Sequence, residues 1–112
     1  MLNIENNTIT MVRGDTAKIT LSIFLKDGTE YEVKSGDIIR FAAKKRYTDV
    51  NPVIEKIVDN ETLLLQLDPE DTKPLGMGEN KGKYVYDIQI TQEDGSVDTF
   101  IRGTLLLLEE VE

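Results

Sequence analysis

Apolar and polar residues alternate along most of this chain, the pattern of half-buried β-strands rather than of helices. Between Thr16 and Ile23, Ala17, Ile19, Leu21 and Ile23 share one face, and Lys18, Thr20 and Ser22 share the other. Thr8 to Val12 reads as a shorter strand with Ile9 and Met11 inward. Asp37 to Lys44 places Ile39, Phe41 and Ala43 together, and Lys83 to Thr91 places Tyr84, Tyr86, Ile88 and Ile90 together. Turn chemistry separates these runs. Lys26-Asp27-Gly28-Thr29 and Glu93-Asp94-Gly95-Ser96 read as hairpin turns, because Asp-Gly supplies the positive φ that such turns need. Ser35-Gly36-Asp37 is a further turn, and Glu30 to Val33 is the expected return strand of the first hairpin. Val53 to Val58 and Glu61 to Leu67 are expected to pair as another hairpin around Asp59-Asn60, with Leu63, Leu65 and Leu67 facing one way. The last strand, Asp98 to Glu109, is long and apolar, and Gly103 interrupts its alternation, which predicts a bulge or bend.

One segment is helical. In Asp68-Pro69-Glu70-Asp71-Thr72, Asp68 can cap, Pro69 suits the first helical position, and Glu70 and Asp71 sit well at the positive end of the helix dipole. Pro74 and Gly76 stop the helix after about one turn. Met77 to Gly82 reads as a Gly-rich, flexible polar loop. About eight short strands at close spacing predict one all-β domain over residues 1–112, an antiparallel two-sheet sandwich with a short helical turn near residues 69–75. The predicted core holds Ile19, Leu21, Ile23, Phe41, Leu63, Leu65, Tyr86 and Ile88.

Composition narrows the chemistry more than the fold. With 112 residues, 39% hydrophobic and 30% charged, the chain has the make-up of one soluble globular domain. It contains neither histidine nor cysteine. Disulfides, thiolate or imidazole metal sites and Ser–His–Asp or Cys–His catalysis are therefore excluded. Net charge is −8, which disfavours nucleic acid and anionic membranes as partners. Met1 to Glu5 has no basic region or long apolar run, so no signal peptide is expected. No enzymatic activity, cofactor or metal is predicted, and no small-molecule ligand is expected.

Several motifs have both a chemical and a structural meaning. Arg13-Gly14-Asp15 spells an integrin-binding tripeptide, but Gly14 and Asp15 also suit a turn between strands. Asp68, Glu70 and Asp71 could surround a hard cation, yet they lack the spacing of a calcium loop, and helix capping accounts for them. A paired-carboxylate glycosidase has no support beyond the abundance of acidic residues. Tyr84 and Tyr86 could form a sugar-binding platform, but the alternation turns them inward, where one of them is a candidate tyrosine corner. Lys44-Lys45-Arg46, the one basic cluster, reads as a solvated loop. Leu105, Leu106, Leu107 and Leu108 put apolar side chains on both faces of the last strand. A small two-layer fold covers one face of each sheet, so one pair is a candidate interface.

Three segments in order resemble one family: Ile9-Thr10-Met11-Val12-Arg13-Gly14-Asp15-Thr16-Ala17, Pro69-Glu70-Asp71-Thr72-Lys73, and Gly82-Lys83-Tyr84-Val85-Tyr86-Asp87-Ile88-Gln89. They are similar to small phage and prophage tail proteins of Gram-positive bacteria, in particular the N-terminal immunoglobulin-like domain of phage baseplate upper proteins. Gly76 to Lys81 departs from that pattern as a longer insertion. The resemblance implies an immunoglobulin-like sandwich and a non-enzymatic structural role in a tail, made in the bacterial cytoplasm and carried in the virion. It also implies partners that are copies of the chain or other tail proteins. The alternative reading is a carbohydrate- or peptide-binding module on the same sandwich.

Overall fold

The computed structural model describes residues 2–5, 7–24, 27–75 and 82–109, the first four by backbone pairing alone. Among them the chain forms β1 (Leu2–Glu5), β2 (Thr8–Val12), β3 (Ala17–Thr20), β4 (Ile38–Lys44), β5 (Ile54–Val58), β6 (Leu64–Leu67), α1 (Pro69–Thr72), β7 (Lys83–Thr91) and β8 (Val97–Leu108). The period-two alternation becomes alternate burial. In β7, Tyr84, Tyr86, Ile88 and Ile90 are buried while Val85, Asp87 and Gln89 stay partly open.

The strands form a six-stranded sheet ordered β1-β2-β8-β7-β4-β5 and a two-stranded sheet, β3-β6. Ile19, Leu65 and Leu67 of the small sheet share one core with Phe41, Tyr86, Ile88, Leu105 and Leu107 of the large one. Burying each such side chain contributes about 1.5–3 kcal/mol, which is why two unequal sheets hold together. The all-β class is as read from the sequence, and seven of the eight predicted core residues are buried, with Leu63 half-buried at the margin.

Four expectations need correction. The large sheet is mixed, not wholly antiparallel: β2 runs parallel to β8, with Ile9 beside Leu105 and Met11 beside Leu107. The turn after β2 carries the chain into the other sheet, so β2 pairs with the last strand instead of with β3. Nor do β5 and β6 form a hairpin, since they lie in different sheets. Leu63 leaves the expected strand with φ of 56°, donates its N–H to the Asp59 carbonyl at 2.8 Å, and sends the chain across the layers.

The hairpin around Asp27-Gly28 is reduced to a single bridge, Phe24 to Glu30, with Tyr31 N–H on Ile23 O at 2.8 Å. Regular pairing of β3 stops at Thr20, although Leu21 and Ile23 remain buried. Finally, the register shift of β8 is not at Gly103, which pairs with Tyr86. It lies between Ile88 and Gln89, whose partners Ile101 and Thr99 leave Phe100 unmatched. Gly103 has another reason to be glycine, because a Cβ there would meet the Asn7 carbonyl oxygen at 2.0 Å and the Tyr86 hydroxyl at 2.9 Å. The Glu93–Ser96 hairpin forms as expected, with Gln92 N–H on Ser96 O at 2.9 Å. The loop read as flexible and the insertion, residues 76–81, lie outside the described residues.

Candidate functional site

Two regions gather the chemistry-bearing residues, and the first is closed. Gly14, at φ of 88°, turns the chain between β2 and β3, and Asp15 donates its N–H to Val12 O at 3.1 Å. Gly14 N–H donates to the hydroxyl of fully buried Thr72 at 2.8 Å. The Arg13 guanidinium donates through Nη1 to the carbonyls of Lys73 and Leu75, both at 3.0 Å. These are carbonyls at the C-terminal end of α1, where a cation also meets the negative end of the short helix. The tripeptide that resembles an integrin ligand is thus a clamp on the crossover 60 residues away.

The acidic turn is engaged as well. Asp71 reaches back to accept the N–H of Asp68 at 2.7 Å, the reciprocal half of a capping box. The Asp68 carboxylate accepts from Gln66 at 2.8 Å and from Lys56 at 3.2 Å, and these two donors hold it below the usual carboxylate range. Lys56 also lies 2.8 Å from Asp71, which raises its ammonium above the ordinary value. The lysine stands between the two carboxylates, and among the described residues no group of three acidic, His or Cys side chains could hold a metal ion.

Tyr84 and Tyr86 both lie in the core. Tyr86 tilts against Phe41, with ring centroids 5.3 Å apart, and donates its hydroxyl to Asn7 O at 2.7 Å. Asn7 begins the turn into β2, so Tyr86 ties the far edge of the sheet and is not a corner to the preceding crossover. Burial pushes its hydroxyl up to about 12. Tyr84 sits where the charge of Arg13 reaches it.

The four leucines divide as their alternation requires. Leu105 and Leu107 are in the core, whereas Leu106 and Leu108 are half-buried on the outer face of the large sheet. Val12 lies beside Leu108, Thr10 and Lys83 flank Leu106, and Val85 lies beside Thr104. The candidate interface therefore contracts to Leu106 and Leu108.

The second region is a cleft on the same outer face. Arg40, Ala42 and Lys44 of β4 stand beside Gln89, Asp87 and Val85 of β7, and Asp87 stands beside Arg102 of β8. Residues 45–52 fold over this face, bringing the Tyr47 ring to 4.8 Å from the Arg102 guanidinium carbon. Tyr47, Val50 and Pro52 then wall a cleft of about 370 Å³. Ala42 lies within it, 5% exposed, and its small side chain keeps the cleft open. Arg40 is paired with Glu55 at 2.7 Å. Lys44 and Arg102 have no carboxylate partner among the described residues.

Sequence reasoning assigned Lys44 to a solvated loop and passed over Arg40, Tyr47, Asp87, Gln89 and Arg102. The alternation of β4 already put Arg40 and Lys44 on one outward face. Nothing local announced that β8 and the 45–52 loop would bring Arg102 and Tyr47 to it. No helix among the described residues is long and apolar enough to cross a membrane. Compared with known proteins, the chain matches no family model, no curated protein and no solved structure.

Proposed function

We propose that this domain is a non-enzymatic assembly module, a structural protein of a phage or prophage tail, with a baseplate component as the specific role. The family part of this reading rests on the sequence resemblance. The structural observation that supports an assembly role is the outer face of the six-stranded sheet, which no second sheet covers among the described residues and where Val12, Leu106 and Leu108 form an apolar strip. Apolar strips of this kind are more usual at interfaces than on isolated monomers. The partner is a second copy of the chain, docked face to face across that strip.

The finer fold reading is an immunoglobulin-like sandwich. Lettered in chain order, β3 is B, β4 is C, β5 is C′, β6 is E, β7 is F and β8 is G. This reading takes β8-β7-β4-β5 as G-F-C-C′ and β3-β6 as the B–E pair of a variable-type domain. On this reading Tyr84, near the start of the F-equivalent strand, is the tyrosine-corner candidate.

Light scattering over a concentration series tests the reading. Self-association that is abolished by Leu106→Asp and Leu108→Asp supports it. A strict monomer that also fails to bind neighbouring tail proteins in a pull-down counts against it. The second reading, a carbohydrate- or peptide-binding module, draws on the cleft beside Tyr47.

A further inference from the structure

We propose that the cleft between β4, β7, β8 and the 45–52 loop is a binding site for a saccharide or polyol carrying a carboxylate or phosphate group. The inference is independent of the assembly reading, because none of its key residues belongs to the Leu106–Leu108 strip.

Charge provides the first argument. The chain carries 13 basic against 21 acidic residues, and Arg40, Lys44 and Arg102 nonetheless line this one depression. Arg40 is neutralised by Glu55 at 2.7 Å, whereas Lys44 and Arg102 have no carboxylate partner among the described residues. Lys44 and Arg102 face one carboxylate in the cleft, Asp87, which stands beside Arg102 without closing an ion pair, so the depression keeps a net positive charge placed for an anion. The stacking of Arg102 on Tyr47 strengthens the point. A cation–π contact of this kind holds the guanidinium without using its N–H donors, which can then serve a carboxylate or a phosphate.

The rest of the lining argues for more than a bare ion. Asp87 and Gln89 add acceptors that a simple anion would not use but that hydroxyl groups would. Tyr47, 53% exposed, Val50 and Pro52 border a cleft whose accessible lining is mainly polar, which suits the hydroxyl groups of a sugar. Ala42 is flanked in register by Glu55 and Asp87, and a longer side chain there would fill the cleft. A volume of about 370 Å³ is at the small end of ligand pockets, enough for one or two sugar units.

The experiment is an array of carboxylate- and phosphate-bearing oligosaccharides beside their neutral counterparts, followed by ¹⁵N amide titration with the hits, inorganic phosphate and acetate. Saturable binding of acidic glycans is expected, with shifts concentrated at Ala42, Lys44, Asp87 and Arg102. Lys44→Gln with Arg102→Gln should weaken it by about tenfold or more, a change of about 1.4 kcal/mol. Ala42→Leu, which leaves every charge in place, should abolish it, with circular dichroism showing that the variant folds. Leu106→Asp should leave glycan binding unchanged even where it alters self-association, so the two readings fail separately. Equal binding of neutral glycans overturns the proposal. So does inorganic phosphate binding as well as the phosphorylated sugars, an adventitious ion only. Absence of any saturable binding, or unchanged binding in the Lys44/Arg102 variant, overturns it as well.

Discussion

The end of the molecule held by Arg13 and the outer face lined by Lys44 and Arg102 use the same residue types to opposite effect. At the closed end, the arginine is committed to the carbonyls of Lys73 and Leu75, the lysine Lys56 to Asp68 and Asp71, and the threonine Thr72 to Gly14 N–H. On the outer face, Lys44 and Arg102 have no acidic partner among the described residues, and the threonine and leucines beside them face outward. A polar side chain satisfied within the fold contributes to stability and has little left for a ligand. One left open contributes little to stability and is available for recognition. Substitutions at the first region should therefore read out as stability, and those at the second as binding.

The largest effect is expected at Gly103, next to Arg102 in β8. A methyl group there meets backbone at the Asn7 carbonyl, which cannot move aside as a flexible side chain could. Gly103→Ala should cost about 3 kcal/mol, measured by urea denaturation. A cost within about 0.5 kcal/mol, the range of ordinary surface changes, would show that the β1–β2 turn does not approach β8 as described.

Arg13→Ala comes next. It removes two charge-assisted hydrogen bonds to the end of α1 and should cost about 2 kcal/mol. Arg13→Lys should not restore the loss, because the lysine side chain is one atom shorter and its ammonium falls short of the position Nη1 holds between the two carbonyls. Lys44→Ala, the matched change on the open face, should stay within about 0.5 kcal/mol. Equal costs at the two positions would remove the distinction between the regions.

The same contrast explains what could be read from the sequence. The alternation in β7 and β4 identified Tyr86, Ile88 and Phe41 as core because period-two burial is local information. Gly14, Pro69 and the Glu93–Ser96 turn were legible because φ requirements and capping act over a few residues. Sheet membership was not legible. The positive φ at Leu63, a residue that reads as a strand former, sends β6 to the other layer, and no local signal marks it. The parallel pairing of β2 with β8 joins segments nearly a hundred residues apart, so it too escapes local reading. The cleft depends on this non-local order, since Arg102 and Arg40 meet only through β7. The motifs that stood out in sequence proved to be turns, caps and clamps, while the open face is assembled from residues with no motif at all.

Tyr86→Phe should cost about 1 kcal/mol at neutral pH, the net value of a hydrogen bond to a carbonyl that keeps a weaker donor in Thr104 N–H at 3.3 Å. Its sharper signature is alkaline. The folded protein holds the Tyr86 proton up to about pH 12, whereas an ordinary tyrosine releases it near 10. The unfolded chain therefore binds fewer protons between those values, and stability falls as pH rises. This contribution is fully present below about pH 10 and is lost through about 12. Tyr86→Phe should flatten that part of the profile. The raised Lys56 ammonium titrates on the same side, so a Lys56→Met control separates the two. An alkaline profile unchanged in Tyr86→Phe would mean that the ring is not buried as described.

The smallest effect on stability is expected at Leu106, where it is also the most informative about the open face. Leu106 is half-buried, flanked by Thr10 and Lys83, so Leu106→Ser removes little apolar area from the fold and should cost about 0.5 kcal/mol. Leu105→Ala, one residue away but fully buried, should cost about 3 kcal/mol. The two leucines sit on opposite sides of one strand, so Leu106→Ala set against Leu105→Ala measures the asymmetry of β8 directly. If a second copy covers the strip, the cost at Leu106 becomes concentration-dependent, because association adds to apparent stability by mass action. Urea midpoints at two protein concentrations, compared between the unmodified chain and Leu106→Ser, distinguish the cases. A midpoint that rises with concentration only when Leu106 is present marks the strip as the contact. Midpoints independent of concentration in both proteins would leave the outer face exposed and count against self-association through it.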